Sequence, residues 1–253
     1  MLEELFYIHK QTVEDTPVDF KRYLYHTIDW SAPALCITGP RGVGKTTLLL
    51  QHYRDQYDDV EKCLYISADN VEVSAGGLFR TAKEYFQYGG EALIIDEIHK
   101  YSQCEGELKS ILDTFKGKKI FVSGSSSLAL QESKVDLSRR LVYYGMKGLS
   151  FREYLALKEK ISVPAVSLED VLTGHVRLAQ KLTSGKPILK YFKHYLSMGY
   201  YPFFLEGETS YVSKLLNIIE KVLYEDVAVM GNVRKSNIAI LKKMLWLIAT
   251  AGS

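Results

Sequence analysis

The chain has 253 residues, 47% of them apolar and 25% charged, and a formal net charge of +2. That balance is ordinary for a soluble globular protein and offers no bulk charge to draw nucleic acid or a membrane. Cys36, Cys63 and Cys104 show no CxxC spacing, the N-terminus carries acids where a signal peptide needs bases, and no apolar run reaches bilayer length. Together these predict a cytoplasmic chain in a reducing compartment, with no cysteine metal site.

Residues 1 to about 30 read as helical and amphipathic, with Leu5, Phe6, Phe20 and Leu24 as core candidates. Pro17 is placed to start a second helix at its first turn. Leu35–Thr38 reads as a short buried strand. Directly after it, Gly39 to Thr46 spells GPRGVGKT, a match to G-x-x-x-x-G-K-[ST],. Glycines let such a loop turn successive N–H groups toward phosphate oxygens, and the helix that follows adds free N–H groups and partial positive charge. The expected phosphate site is Gly39, Pro40, Arg41, Gly42, Val43, Gly44, Lys45, Thr46 and Thr47. Lys45 would reach the β- and γ-phosphates, and the Thr46 hydroxyl would ligate Mg²⁺.

The alternation of strand and helix continues. Cys63–Ser67 reads as a strand, and Leu78, Ala82, Tyr85 and Phe86 recur at helical spacing before Gly89 and Gly90 end that run. Ala92–Ile95 is a continuous apolar run, typical of a strand buried on both faces. It ends in Asp96 and Glu97: one carboxylate to hold Mg²⁺, the next to polarise the water that attacks the γ-phosphate. A helix with Leu108, Ile111, Leu112 and Phe115 precedes strand Ile120–Ser123, which runs into SGSSS, Ser123 to Ser127. A polar side chain there would face the γ-phosphate, with Ser125 the first choice and Ser123 the second. Arg139 and Arg140 precede the last strand, Leu141–Tyr144. Arg140 either reaches a neighbouring subunit's phosphate or forms a salt bridge such as one to Glu153. Alternating units of this kind make a parallel sheet with helices on both faces, which binds ligands at the carboxyl ends of its strands.

After Phe151 the pattern is helical only, over Phe151–Glu159, Leu168–Leu182, Ile188–Met198, Tyr211–Ala228 and finally Lys235–Thr250. Gly185 and Gly199 read as helix stops. Pro202 could pack on an adenine face with Gly199 allowing close approach, or simply mark a proline turn. His99 and Lys100 read as surface groups or supports rather than ligands.

GPRGVGKTT, LIIDEIHK, FVSGSSS and LSRRLVYYGMKGLSFREYL, in that order, resemble the AAA-family ATPases of the AAA_14 type, bacterial and archaeal P-loop proteins that often carry a C-terminal DUF4143 domain. The resemblance runs from about residue 15 to the end. It implies a P-loop NTPase of α/β class, with an AAA-type sheet of order 5-1-4-3-2 and an all-helical lid. It also implies segments of 1–30 (N-terminal helical), 31–150 (ATPase core), 151–230 (lid) and 231–253 (the start of a truncated winged-helix region). Two motifs depart from the family's: its proline-leucine-serine-phenylalanine has Gly148 in place of the proline, and its Gly-Gly-Tyr-Pro lid motif appears as Gly199, Tyr200, Tyr201 and Pro202. The expected activity is hydrolysis of ATP to ADP with Mg²⁺, coupled to lid movement and assembly. Glu97, Lys45, Ser125 and Arg140 would be the catalytic residues, with Arg140 acting in trans in a homo-oligomer. Thr46 and Asp96 would hold the metal. The rivals are a nucleotide-dependent binding switch, a small-molecule kinase, and a DNA-associated remodelling ATPase; the protein or DNA target is open, and no membrane partner is expected.

Overall fold

A computed structural model describes residues 1–125, 137, 139–227 and 235–251. The chain divides into two units, one formed by 1–146 with the segment from 214 onward, the other by 147–213.

The first unit is built on a five-stranded sheet in the order β2-β3-β4-β1-β5. Its strands are β1 (Ala34–Thr38), β2 (Cys63–Ser67), β3 (Ala92–Asp96), β4 (Lys119–Gly124) and β5 (Val142–Gly145). Every pairing is parallel. The order is the expected 5-1-4-3-2 read from the other edge. β1 and β3 are buried throughout, whereas Val142 on the edge strand β5 is 45% exposed. Helices α1 (Leu2–Glu14), α2 (Lys45–Gln56), α3 (Val71–Gly76), α4 (Leu78–Gln87) and α5 (Cys104–Thr114) connect and cover these strands.

Alternate strand residues point to opposite faces. Cys36, Leu64, Ile66, Leu93, Ile95 and Val122 meet Leu5, Leu78, Tyr85, Leu108 and Ile111 in one core. Each such fully buried Leu or Ile stabilises by about 1.5–3 kcal/mol relative to exposure. Phe121 faces the other way, against the stacked rings of Trp30 and His52, whose centroids are 3.8 Å apart. Among the described residues no helix is long and apolar enough to cross a membrane.

Pro17 does not start a helix. The chain from Asp15 to Arg22 is irregular, and only a short 3-10 turn, Tyr23–His26, follows. Side chains of α2 explain this: Gln51 Nε2 donates to the carbonyls of Pro17 and Phe20 at 2.7 and 2.9 Å, and Arg54 Nη1 donates to that of Thr16. The segment's acceptors are met from outside, so a helix is not needed to satisfy them. Phe20 and Leu24 are half-buried, while Tyr25 and Ile28 are buried instead. The short helix α3, capped by the Asn70 side chain accepting from Glu72 N–H, was not legible in the periodicity.

The second unit holds α6 (Phe151–Lys158), α7 (Leu168–Thr183) and α8 (Ile188–Met198). Capping boxes start two of them, Ser150 with Glu153 at α6 and Ser167 with Asp170 at α7,. Phe151, Tyr154, Phe192, Tyr195 and Phe204 form an aromatic cluster in which Tyr154 and Phe204 are buried. At Gly199 the close approach is to this cluster: an added Cβ would lie 2.7 Å from Tyr195 Cα and 2.8 Å from the Tyr154 ring. Pro202 opens a 3-10 turn, Pro202–Glu206. Helix α9 (Glu208–Lys221) begins in this unit and continues into a π-helical turn, Val222–Val227. The last helix, α10, is Lys235–Thr250. The expected lid, 151–230, thus takes in most of the second unit and part of the first.

Candidate nucleotide site

The loop from Gly39 to Gly44 joins β1 to α2. Gly42 and Gly44 have φ of 79° and 97°, the left-handed region that L side chains avoid,. At Gly39 the constraint is a neighbour, since an added Cβ would lie 2.2 Å from the Met146 carbonyl oxygen. Arg22 Nη1 donates to the Val43 carbonyl at 2.7 Å and pins the loop from outside. Lys45 is 4% exposed, and its ammonium donates to the Gly39 and Pro40 carbonyls at 3.0 and 3.1 Å.

β4 lies between β1 and β3, so the end of β3 faces the start of α2 across one strand. Asp96 is 3% exposed and collects three hydroxyl donors. Thr46 donates to its Oδ2 at 2.7 Å and Tyr65 to the same oxygen at 3.0 Å, while Ser123 donates to Oδ1. A buried carboxylate without such donors would cost several kcal/mol. Burial and the Asp96 charge hold the Tyr65 hydroxyl well above its ordinary pKa, so it is a donor at any physiological pH. Thr46 and Asp96 are hard oxygen donors on one spot, a set suited to Mg²⁺. Among the described residues no group of three or more His, Cys, Asp or Glu could hold a metal.

Glu97 follows with φ 52° and ψ 38°, left-handed for a residue with a side chain. Its N–H donates to Ser123 Oγ at 3.0 Å, which ties the turn to β4. Its carboxylate lies 4.0 Å from Lys45 Nζ, 3.5 Å from His99 Nε2 and 3.9 Å from Lys100 Nζ. Lys100 also pairs with Asp69. Arg41 meets His99 Nε2 at 3.4 Å and Glu225 at 2.8 Å.

The structure therefore brings Lys45, Thr46, Asp96 and Glu97 together. Of the two serines weighed, Ser123 touches Asp96 and the Glu97 amide, whereas buried Ser125 donates its N–H to His99 Nδ1 at 3.2 Å. Residues 126 and 127 of that run lie outside the described residues. Arg140 is held in its own chain: Nε and Nη2 bond both oxygens of Asp113 at 2.7 and 3.0 Å, and this bonding keeps the Asp113 carboxyl below its usual range. Asp113 lies on α5. Pro202 is in the second unit. The Cys36 thiol, pushed up to about 12 by burial, is no nucleophile,. Tyr65 is not singled out by the sequence as part of the site, and His99 reads there as a surface group or support rather than a ligand. The available sign of Tyr65 is a polar hydroxyl in the middle of the largely apolar strand CLYIS.

A parallel sheet with a glycine loop between β1 and α2, and an acid at the end of β3 facing that loop, defines a P-loop domain of the AAA type. Residues 31–155 match the AAA_14 family, described as an AAA domain. An uncharacterized protein of Methanocaldococcus jannaschii is 30% identical over 230 residues, which cover 85% of this chain and 48% of that protein; the chain spans about half the relative's length. Among solved structures, the chain is similar to Aeropyrum pernix ORC1 in complex with DNA (17% identity, 68% of this chain and 59% of that one, TM-score 0.43). It is also similar to a DNA replication initiation factor (16% identity, 91% and 71%, TM-score 0.41).

Proposed function

We propose that the chain binds ATP on the loop formed by residues 39–47 and, with Mg²⁺, hydrolyses it to ADP and phosphate. The observation that carries this reading is the Thr46 hydroxyl on the Asp96 carboxylate at 2.7 Å, with Lys45 4.0 Å from Glu97 on the same side. Loop amides and Lys45 bind the phosphates. Thr46 and Asp96 would hold Mg²⁺, which when bound would neutralise charge on the phosphate oxygens. Glu97 orients the attacking water and accepts its proton. Ser123 and Ser125 sit at the β4 end, where a γ-phosphate sensor belongs.

Lys45→Ala is expected to lose ATP binding. Glu97→Gln is expected to keep binding and lose hydrolysis by about 100-fold or more. Binding of a fluorescent ATP analogue and phosphate release read these out, and a Glu97→Gln chain that turns over like the parent refutes the water-orienting role.

A second reading is a nucleotide-dependent switch with slow hydrolysis, and the Arg140–Asp113 pair favours it. An arginine acting on a neighbour's phosphate must first leave that pair, so assembly would gate turnover. Phosphate release rising faster than linearly with protein concentration supports the assembling ATPase, while a flat specific rate supports the switch.

A further inference from the structure

β2 is an edge strand of the sheet, so the N–H groups on its outer side have no ladder partner,. The Tyr65 N–H finds its acceptor outside the sheet: it donates at 2.8 Å to Nδ1 of His9 on α1. His9 stands between Leu5 and Val13 in the buried stripe of that helix and is 2% exposed. Its ring meets the Tyr53 ring of α2 edge-on, with centroids 4.6 Å apart, a contact that limits its rotation. Burial lowers the His9 pKa to about 4, so at neutral pH the ring is uncharged and able to accept,. Its Nε2 is buried with no hydrogen-bond partner among the described residues. What this histidine supplies, and an apolar member of the stripe could not, is an acceptor for one amide. That amide belongs to the residue whose hydroxyl donates to Asp96 Oδ2 at 3.0 Å.

We propose that His9 is a positioning residue for the candidate nucleotide site: by anchoring the Tyr65 main chain at the sheet edge, it aims the Tyr65 hydroxyl, and through it the Asp96 carboxylate. This rests on the reading of Asp96 as a metal-holding acid. On its inner side β2 is held by β3, with Tyr65 opposite Ile94 and Ser67 opposite Asp96. His9 holds the outer side. A strand fixed on both sides keeps the Tyr65 hydroxyl in one place, and a displacement of about 1 Å is enough to misdirect a group in a site. The N-terminal helix α1 is thereby part of the support of the site rather than only a cover for the sheet.

His9→Leu keeps the stripe apolar and removes the acceptor, whereas the Oδ1 of asparagine stands where the histidine Nδ1 stands, so His9→Asn keeps it. Tyr65→Phe deletes the hydroxyl and leaves the amide. In urea unfolding without nucleotide or metal, Tyr65→Phe is expected to lower the midpoint in the His9→Leu background by about half or less of its effect in the parent, because the hydroxyl is no longer aimed. In binding of a fluorescent ATP analogue, the Mg²⁺ concentration for half-maximal affinity is expected to rise about two- to fivefold in His9→Leu. It is expected to return most of the way in His9→Asn, and to rise no further when His9→Leu is added to Tyr65→Phe. A role confined to stability predicts additive unfolding costs and an unmoved Mg²⁺ requirement. Either result overturns the proposal, as does a folded His9→Asn chain whose Mg²⁺ requirement matches that of His9→Leu. A parent chain that binds the analogue equally with and without Mg²⁺ removes the metal-holding reading of Asp96 and the proposal together, an outcome distinct from the others.

Discussion

Tyr65→Phe deletes a single oxygen from β2 and probes the carboxylate on which the metal-holding reading depends. The hydroxyl donates to Asp96 Oδ2 at 3.0 Å, and Tyr65 is 6% exposed, so bulk water cannot take its place. A hydrogen bond to a charged group contributes about 1.5–3 kcal/mol. Asp96 Oδ2 keeps the Thr46 donor at 2.7 Å, which puts the expected loss near the lower end, about 1–2 kcal/mol,. For a chain of this size that is a fall in Tm of about 2–8 °C. Urea unfolding without nucleotide measures it, and the same substitution in an Asp96→Asn background should cost much less.

The pH dependence of this contribution has a fixed sign. The Tyr65 pKa is raised above its ordinary 10.0 on folding, so its share of stability is complete below pH 10 and drains away above it,. The Phe variant should therefore show a shallower alkaline loss than the parent. The Mg²⁺ concentration for half-maximal turnover should rise several-fold, since Asp96 loses one of the donors that hold its orientation. A stability change under about 0.3 kcal/mol, or equal costs in the two backgrounds, would refute the claim that this hydroxyl supports Asp96.

Acid should weaken the fold through His9 and His52, whose pKa values burial lowers from 6.5 to about 4. Each holds its contribution above pH 6.5 and loses it as pH falls toward 4, up to about 3 kcal/mol apiece, and urea midpoints at pH 7 and 5 in the parent and a His9→Gln variant would reveal it. Gly39→Ala drives a Cβ to 2.2 Å from the Met146 carbonyl oxygen, a backbone atom that cannot swing aside, so the loop must shift. ATP-analogue affinity should drop at least about tenfold, with about 1–3 kcal/mol lost in stability; parent-like affinity would refute the constraint. Arg140→Ala breaks a partly exposed pair with Asp113 and should cost no more than about 1 kcal/mol in urea unfolding,. If the arginine acts across subunits, turnover at high protein concentration should nevertheless fall about 1000-fold.

The loop at Gly39–Thr46, the acids at Asp96 and Glu97 and all five strands could be read along the chain. Each is a local signal: glycine spacing meets a backbone demand, and an unbroken apolar run announces burial on both faces. The sheet order came through the family resemblance, because short apolar strands carry no label for their neighbours. The failures share a cause. Residues 16–22 look like a helix start until Gln51 and Arg54 of α2 take their carbonyls. Tyr65, His99 and the Arg140–Asp113 pair acquire meaning only through groups distant in sequence or across the sheet.

Main-chain geometry and burial are demands that neighbouring residues meet among themselves, and so composition and spacing carry them. The direction of a side chain depends on what folding brings beside it. Asp96 as an acid at a strand end belongs to the primary chain; the three hydroxyls from α2, β2 and β4 that aim it come from three-dimensional packing.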